Sequence, residues 1–237
     1  MNEVLIVPDI HGRNFWEPAL DYQGEVIFLG DYTDPYPHEG FTEEDAYQSL
    51  LKIIDFKRQH PDRVTLLIGN HELHYYNPEF QSSRFSVAYF EKYHELLTSK
   101  KNKDLFQICK QKDNYLFIHA GITKGWCELH RAKLQKHGNT LEKQLNGLFR
   151  RNMKVFFEVS KMRCGADPYG SPLWADIEEH YLEEEHFDND IIQIIGHTQL
   201  QGNEPFEFKN IRLLDNRQLY ILKDNEIKHW SIFTSAT

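Results

Sequence analysis

Five short apolar runs punctuate the chain: Val4-Leu5-Ile6-Val7, Val26-Ile27-Phe28-Leu29, Val64-Thr65-Leu66-Leu67-Ile68, Tyr115-Leu116-Phe117-Ile118 and Ile191-Ile192-Gln193-Ile194-Ile195. Runs of this length, rich in β-branched residues and bounded by Gly, Pro or polar positions, predict buried strands. The spacing between them predicts helices. A short one follows the first strand over Asn14 to Leu20, and the clearest covers Thr42 to His60. There Thr42 is suited to the N-cap, Glu43, Glu44 and Asp45 to the first turn, and Lys57 and Arg58 to the last. The first seventy residues therefore read β-α-β-α-β, the alternation of an α/β fold. Beyond them we expect a helix over Ser82 to Leu97. A hairpin of Leu105 to Cys109 with Tyr115 to Ile118 is expected around Gln111-Lys112-Asp113-Asn114. Trp126 to Arg151 reads as mostly helical, with Leu141, Leu145 and Leu148 on one stripe. The tail reads as antiparallel strands, Ile211 to Leu214, Leu219 to Leu222 and Ile227 to Phe233, with a turn at Asp224-Asn225.

What ends the five runs changes the picture. They lead into Asp9 and His11, Asp31, Asn70-His71-Glu72, His119 and His197. If such strands share a sheet, the loops at their carboxyl ends converge on one edge, where open α/β folds bind ligands. Carboxylates, an amide and imidazoles gathered there are expensive to bury without a counter-charge, so the pattern implies a bound cation. Asp9-x-His11 can aim two ligands at one ion, and Asp31 has the lone pairs to bridge two. A mixed carboxylate, amide and imidazole set without cysteine suits manganese first, with iron or zinc as alternatives, over an all-oxygen calcium or magnesium cage. Asp-x-His alone carries little weight; Gly69-Asn70-His71-Glu72 and the ordered set carry much more.

At 237 residues, with 40% hydrophobic and 27% charged positions, the composition is that of a globular chain. Residues 1–237 are expected to form a single domain around one core. The formal charge of −9 argues against a general phosphate-backbone binder, and no strong nucleic-acid signal is present. A small phosphorylated substrate stays compatible, because bound cations reverse the local sign. No apolar run approaches a membrane span and the first strand begins too early for a signal peptide, so no membrane association is expected. Cys109, Cys127 and Cys164 are widely spaced and read as free thiols in a reducing cytoplasm. Asp176 to Asp190 holds eight acidic residues and reads as a solvated face; Lys100, Lys101 and Lys103 read as a loop.

Taken together, Asp9-x-His11-Gly12, Gly30-Asp31-x-x-Asp34, Gly69-Asn70-His71-Glu72, His119-Ala120-Gly121 and Gly196-His197 resemble the calcineurin-like metallophosphoesterases. The branch they resemble most is that of serine/threonine protein phosphatases and diadenosine tetraphosphatases. The motifs occur in family order from residue 9 to about residue 215. The resemblance implies a four-layer α/β/β/α sandwich of two mixed sheets flanked by helices, and two divalent ions. Asp9, His11 and Asp31 would hold one ion; Asp31, Asn70, His119 and His197 would hold the other. It also implies that His71 is the general acid and that Asp34 orients it. Asp215 matches a late aspartate of the family and has the alternative of an ordinary strand end. Glu72-Leu73-His74 does not complete a HExxH zinc motif. His74 therefore reads as structural, as do His38, His60, His94, His130, His137, His180, His186 and His229.

One departure stands out. Where the family carries an arginine after the aspartate matched by Asp34, this chain has Pro35-Tyr36-Pro37, and proline cannot act as a bidentate guanidinium. Arg13, Arg84 and Arg163 are the candidate replacements for clamping phosphate, with Arg13 preferred because it is tethered to a ligand loop. The leading expectation is a two-metal phosphomonoesterase acting on a phosphorylated small molecule, nucleotide or phosphoprotein, with phosphoserine and phosphothreonine as candidates. A nucleotide or dinucleoside polyphosphate hydrolase is the alternative. A metal-binding scaffold without activity is disfavoured by the presence of every motif residue.

Overall fold

The computed structural model describes residues 3–183, 187–188 and 190–231. In chain order it runs β1 (Val4–Val7), β2 (Glu25–Phe28), α1 (Glu43–Gln59), β3 (Val64–Leu67), α2 (Asn70–Tyr76), α3 (Phe90–Thr98) and β4 (Phe106–Gln107). There follow β5 (Cys109–Lys112), β6 (Tyr115–Ile118), α4 (Lys124–Leu134), α5 (Leu141–Arg151) and α6 (Ile177–Leu182). The chain closes with β7 (Ile192–Ile195), β8 (Phe206–Phe208), β9 (Ile211–Leu213), β10 (Tyr220–Lys223) and β11 (Glu226–His229). It gathers into two compact units, Met1–Phe106 with Asn216–Thr237, and Gln107–Asp215.

The first unit is built on a sheet of order β11-β10-β1-β2-β3-β4. β1, β2 and β3 are parallel, while β10 joins β1 antiparallel and turns back into β11. All four residues of β1 are buried, which is why the run is continuously apolar and not alternating. α1 starts where expected, because Thr42 and Asp45 form a reciprocal capping box. It packs a stripe of Ala46, Leu50, Ile53 and Ile54 into the core. The short helix after β1 is a 3₁₀ turn at Glu17–Leu20, begun by Pro18.

The second unit is built on a sheet of order β5-β6-β7-β9-β8. Here β6, β7 and β9 are parallel, and the edge strands β5 and β8 are antiparallel to their neighbours. Both sheets are therefore mixed, each with helices, as an α/β fold of this kind requires. The five apolar runs divide three to one sheet and two to the other, so they do not share a single sheet.

Several local expectations are corrected. The hairpin loop is only Asp113-Asn114, with Gln111 and Lys112 inside β5; Phe106 belongs to β4 instead. The stretch Trp126 to Arg151 is two helices. Gly138, at φ 135°, breaks it, and Thr140 caps the second helix at the amide of Lys143. Of the three tail strands, β10 and β11 form the expected hairpin, but β9 lies parallel to β7 in the other sheet. The Ile227 to Phe233 strand ends at His229, and its last two residues lie outside the described ones. The helix expected from Ser82 begins at Phe90, behind a 3₁₀ turn at Val87–Tyr89. Within the acidic stretch, α6 uses Asp176 and Glu179 as a capping box, and Glu183 accepts from the amides of Lys124 and Gly125 at 2.8 and 2.9 Å. These three carboxylates therefore serve internal backbone, not only solvent. Glu184, Glu185, His186 and Asn189 lie outside the described residues. Among the described residues, no helix is long and apolar enough to cross a membrane.

Candidate metal and phosphate site

In the first unit the loops after β1, β2 and β3 are tied together by their backbones. The amides of Ile10 and His11 both donate to the carbonyl of Asp31, at 3.0 and 2.7 Å. Gly30, at φ 110°, passes so close to Gly69 that a Cβ would run into the Gly69 amide nitrogen, and a Cβ on Gly69 would meet the Asp31 carboxylate. This contact explains the glycine before each of Asp31 and Asn70. Asp9, His11, Asp31, Asn70 and His71 are all buried.

The Nδ1 of His11 lies 2.9 Å from the carbonyl of Thr33. A carbonyl only accepts, so Nδ1 carries the hydrogen and Nε2 faces the Asp31 Oδ2 at 3.3 Å. Two lone pairs at that separation repel unless a proton or a cation lies between them. Divalent ions bind imidazole and carboxylate at about 2.0–2.2 Å, so the pair fits a metal; Asp9 is buried two residues before His11. The other Asp31 oxygen accepts from the His71 amide at 3.0 Å, at the start of α2. Ligand atoms of His11, Asp31 and His71 all fall within 4.8 Å of one another.

Glu72 holds this arrangement from behind. It is fully buried. Its carboxylate accepts from the amides of Gly69, Asp31 and Tyr32 at 2.8, 2.9 and 2.8 Å, and from the amide and hydroxyl of Thr33 at 3.3 and 3.2 Å. Burial, then the charge of Asp31, pushes this carboxyl up to about 8, against the pull of the backbone donors.

Asp34 anchors the second part. One oxygen faces His71 Nδ1 and His74 Nε2, each at 2.7 Å, and the other accepts from the Tyr75 hydroxyl. Burial alone would raise the Asp34 pKa, but the bonds to His71 and His74 outweigh it and leave the carboxyl below its ordinary value. For His71, burial dominates and lowers the pKa, while Asp31 and Asp34 pull the other way. Arg84 completes the group: its Nη2 lies 3.0 Å from His71 Nε2, its Nε donates to the Asp34 carbonyl at 3.0 Å, and its guanidinium lies 3.7 Å above the centre of the Tyr36 ring. Arg13 is differently engaged. Glu39 receives its Nε and Nη2 at 2.6 and 3.0 Å and also pairs with Arg217. His11, Asp31, Asp34 and Arg84 all have left-handed backbone, at φ 46°, 52°, 57° and 63°. Such strain in non-glycine residues concentrates at functional sites.

In the second unit His119 follows β6 and His197 follows β7, the latter at φ 68°. The Gly196 amide donates to the His119 carbonyl at 2.8 Å, and the two rings approach to 3.2 Å between His119 Nε2 and His197 Nδ1. Arg163 pairs with Asp176 at 2.5 Å and donates to the Thr198 hydroxyl at 2.7 Å, one residue beyond His197. Asp215 is buried just after β9. His130 and His180 are structural, bound to Glu158 and to the Ala120 carbonyl. His94 bonds the Tyr75 carbonyl.

The profile of the calcineurin-like phosphoesterases matches residues 3–230. The chain belongs to that family. Among curated proteins, the serine/threonine-protein phosphatase 4 catalytic subunit of Saccharomyces cerevisiae is 29% identical over 125 residues, covering 50% of this chain and 35% of that protein. The serine/threonine-protein phosphatase SIT4 of Candida albicans is 30% identical over 129 residues, 50% of this chain and 36% of its own. The matched stretch thus spans about a third of the length of these relatives. Among solved structures, the cold-active protein-tyrosine phosphatase of a psychrophilic Shewanella species superposes with a TM-score of 0.59 at 17% identity, over 97% of this chain and 77% of that one. A Saccharomyces cerevisiae protein serine/threonine phosphatase gives 0.53 at 13% identity, over 97% and 79%. These last two likenesses are of fold.

Four residues that contact the candidate site were not read from the sequence as functional: Glu72, His74, Tyr75 and Tyr36. A signal existed for Glu72, which stands three residues after Gly69 as a capping-box acid does.

Proposed function

We propose that the chain is a metal-dependent phosphoesterase that hydrolyses phosphomonoesters, with phosphoserine and phosphothreonine as candidate substrates. The observation that carries the reading is the Asp31 carboxylate, held by the His71 amide on one oxygen and faced by the His11 imidazole on the other. The proposed ligands are Asp9, His11, Asp31, Asn70, His119 and His197, holding two divalent ions, manganese before iron or zinc. When bound, such ions supply a hydroxide nucleophile and neutralise charge on the phosphoryl oxygens.

The side chains around them do the rest. In this structure His71 Nε2 accepts from Arg84; once Arg84 turns to a substrate phosphate, Nε2 is freed to carry the proton that the leaving oxygen takes, and Asp34 fixes the ring by accepting from Nδ1. Arg84 is the preferred phosphate clamp, since its guanidinium lies at His71 Nε2, whereas Arg13 is tied up by Glu39 and Arg163 by Asp176. The same Arg84 contact supports the second reading, hydrolysis of nucleotides or dinucleoside polyphosphates. Their leaving groups depend less on a proton from His71.

The test is a purified protein of measured metal content, stripped by chelation and resupplied with manganese. It would be assayed against phosphopeptides, nucleotides, diadenosine polyphosphates and phosphodiesters. We expect turnover to vanish on stripping and return with manganese, with phosphomonoesters preferred. Full activity in the stripped protein would overturn the two-metal reading.

A further inference from the structure

We propose that Tyr36 is a positioning residue that builds the phosphate clamp by holding Arg84 across its ring; the proposal rests on the reading of Arg84 as that clamp. The segment Asp34-Pro35-Tyr36-Pro37 supplies no guanidinium of its own. It captures one from a distant part of the chain. The Asp34 carbonyl receives Arg84 Nε at 3.0 Å, and two residues on the Tyr36 ring lies under the same guanidinium at 3.7 Å from its centre. That separation is stacking contact, and a planar guanidinium lies flat on an aromatic face in a way that an ammonium cannot. With the carbonyl fixing one edge and the ring fixing the plane, the other edge of Arg84 is directed at His71 Nε2.

The ring is itself held in place. It packs against His11 at 5.1 Å between centres, with the two rings nearly perpendicular. The flanking Pro35 and Pro37 restrict the backbone on either side. Arg13 also lies near the ring, at 5.1 Å, but its Nε and Nη2 are both committed to Glu39. Arg84 has partners of a different kind: a carbonyl, an imidazole nitrogen and an aromatic face. None of the three takes up the positive charge as the Glu39 carboxylate does for Arg13, although the Glu43 carboxyl feels Arg84 through space.

A ring that only filled space would matter through stability. A ring that aims Arg84 matters through Arg84, and the two roles separate in a double-mutant cycle. Loss of the clamp in Arg84→Ala should lower kcat/KM by more than about tenfold. Tyr36→Leu should lower it by roughly 2- to 30-fold, the range of a cation–π contact. It should also raise the inhibition constant of inorganic phosphate in parallel. Tyr36→Phe, which keeps the face and loses only the hydroxyl, should recover most of the Leu loss. The double variant Tyr36→Leu/Arg84→Ala should be no worse than Arg84→Ala alone. A second readout needs no turnover: in the ¹H–¹⁵N spectrum of the metal-free protein, the Arg84 Nε–H should be shifted upfield by the Tyr36 ring. That shift should persist in Tyr36→Phe and vanish in Tyr36→Leu.

If Arg84→Ala kept wild-type kinetics, the clamp reading would fall and this proposal with it. If Arg84→Ala lost activity while Tyr36→Leu did not, the clamp would stand and Tyr36 would have no part in it. Multiplied losses in the double variant would show that Tyr36 acts independently of Arg84, and an unshifted Arg84 signal in the wild-type protein would remove the stack; either result overturns the proposal.

Discussion

Replacing Glu72 with glutamine removes one oxygen and adds two hydrogens at a position surrounded by donors. The carboxylate accepts five bonds, two on Oε2 from the amides of Gly69 and Asp31 and three on Oε1 from Tyr32 and Thr33. A glutamine oriented to keep the Oε1 set points its NH₂ at the Gly69 and Asp31 amides. Two buried backbone N–H groups then lose their acceptor, at about 1–3 kcal/mol each, or roughly 2–6 kcal/mol together. For a chain of this size, about 2–4 °C per kcal/mol gives a fall in melting temperature of roughly 4–24 °C. Since the displaced amide belongs to Asp31, metal affinity should drop alongside stability. The assay is thermal denaturation near pH 8 with manganese present, paired with metal content after dialysis. Glu72→Ala, which strands all four backbone amides and leaves the Thr33 hydroxyl only the His71 carbonyl, should be worse than Glu72→Gln. A Gln variant melting within about 1 °C of wild type with full metal would refute the argument that Glu72 organises the strand-end loops.

Asp31→Asn should reduce bound metal and turnover together, measured by elemental analysis and phosphatase assay on the same sample. His71→Asn should leave metal near wild type while cutting turnover by roughly 10²–10⁴. The loss should be larger on an alkyl phosphate than on p-nitrophenyl phosphate, and equal losses would mean that His71 does not act as the acid. Burial, then the charge of Asp34, raises the Glu43 carboxyl to about 7, with Tyr93 and Arg84 opposing. Because the folded pKa exceeds the unfolded one, folding is favoured at low pH, and this contribution is lost as pH rises from the ordinary glutamate range through about 7. Melting temperatures of wild type and Glu43→Gln between about pH 5 and pH 8 should therefore converge at the acid end and diverge toward the alkaline end, with the glutamine variant the more stable; parallel curves would sink this assignment.

The parallel strands were legible because buried strands leave a continuous apolar run, and α1 because Thr42 and Asp45 cap it in a recognisable way. Pairing was not. A run such as Ile191 to Ile195 predicts a buried strand but carries no information on which strand lies beside it, so the division into two sheets and the parallel seat of β9 stayed hidden. β8 escaped notice because Phe206 and Glu207 are exposed and three residues make no period. α2 was masked by its own chemistry: Asn70-His71-Glu72 reads as a ligand motif first, although Glu72 also starts a helix. Asp34 and His71 were found by resemblance, and they do lie in contact. His74 looked inert because its spacing from His71 fits no metal motif, yet one helical turn brings both to the same carboxylate. Arg13 was preferred for its tether; a sequence cannot show that Glu39, twenty-six residues on, takes its guanidinium.

The antiparallel pairing of β1 with β10, Val4 against Leu222 and Ile6 against Tyr220, has a consequence for biosynthesis. The strand that leads to Asp9 and His11 leaves the ribosome before its outer neighbour, which emerges more than two hundred residues later. At about 5–20 residues per second, that edge of β1 waits roughly 10–45 s for its partner. The contiguous unit Gln107–Asp215 is synthesised entirely within the interval and can fold meanwhile. A nascent chain arrested before Tyr220 would expose a bare, fully apolar strand edge, the kind of surface that chaperones shield and that pairs wrongly when they do not.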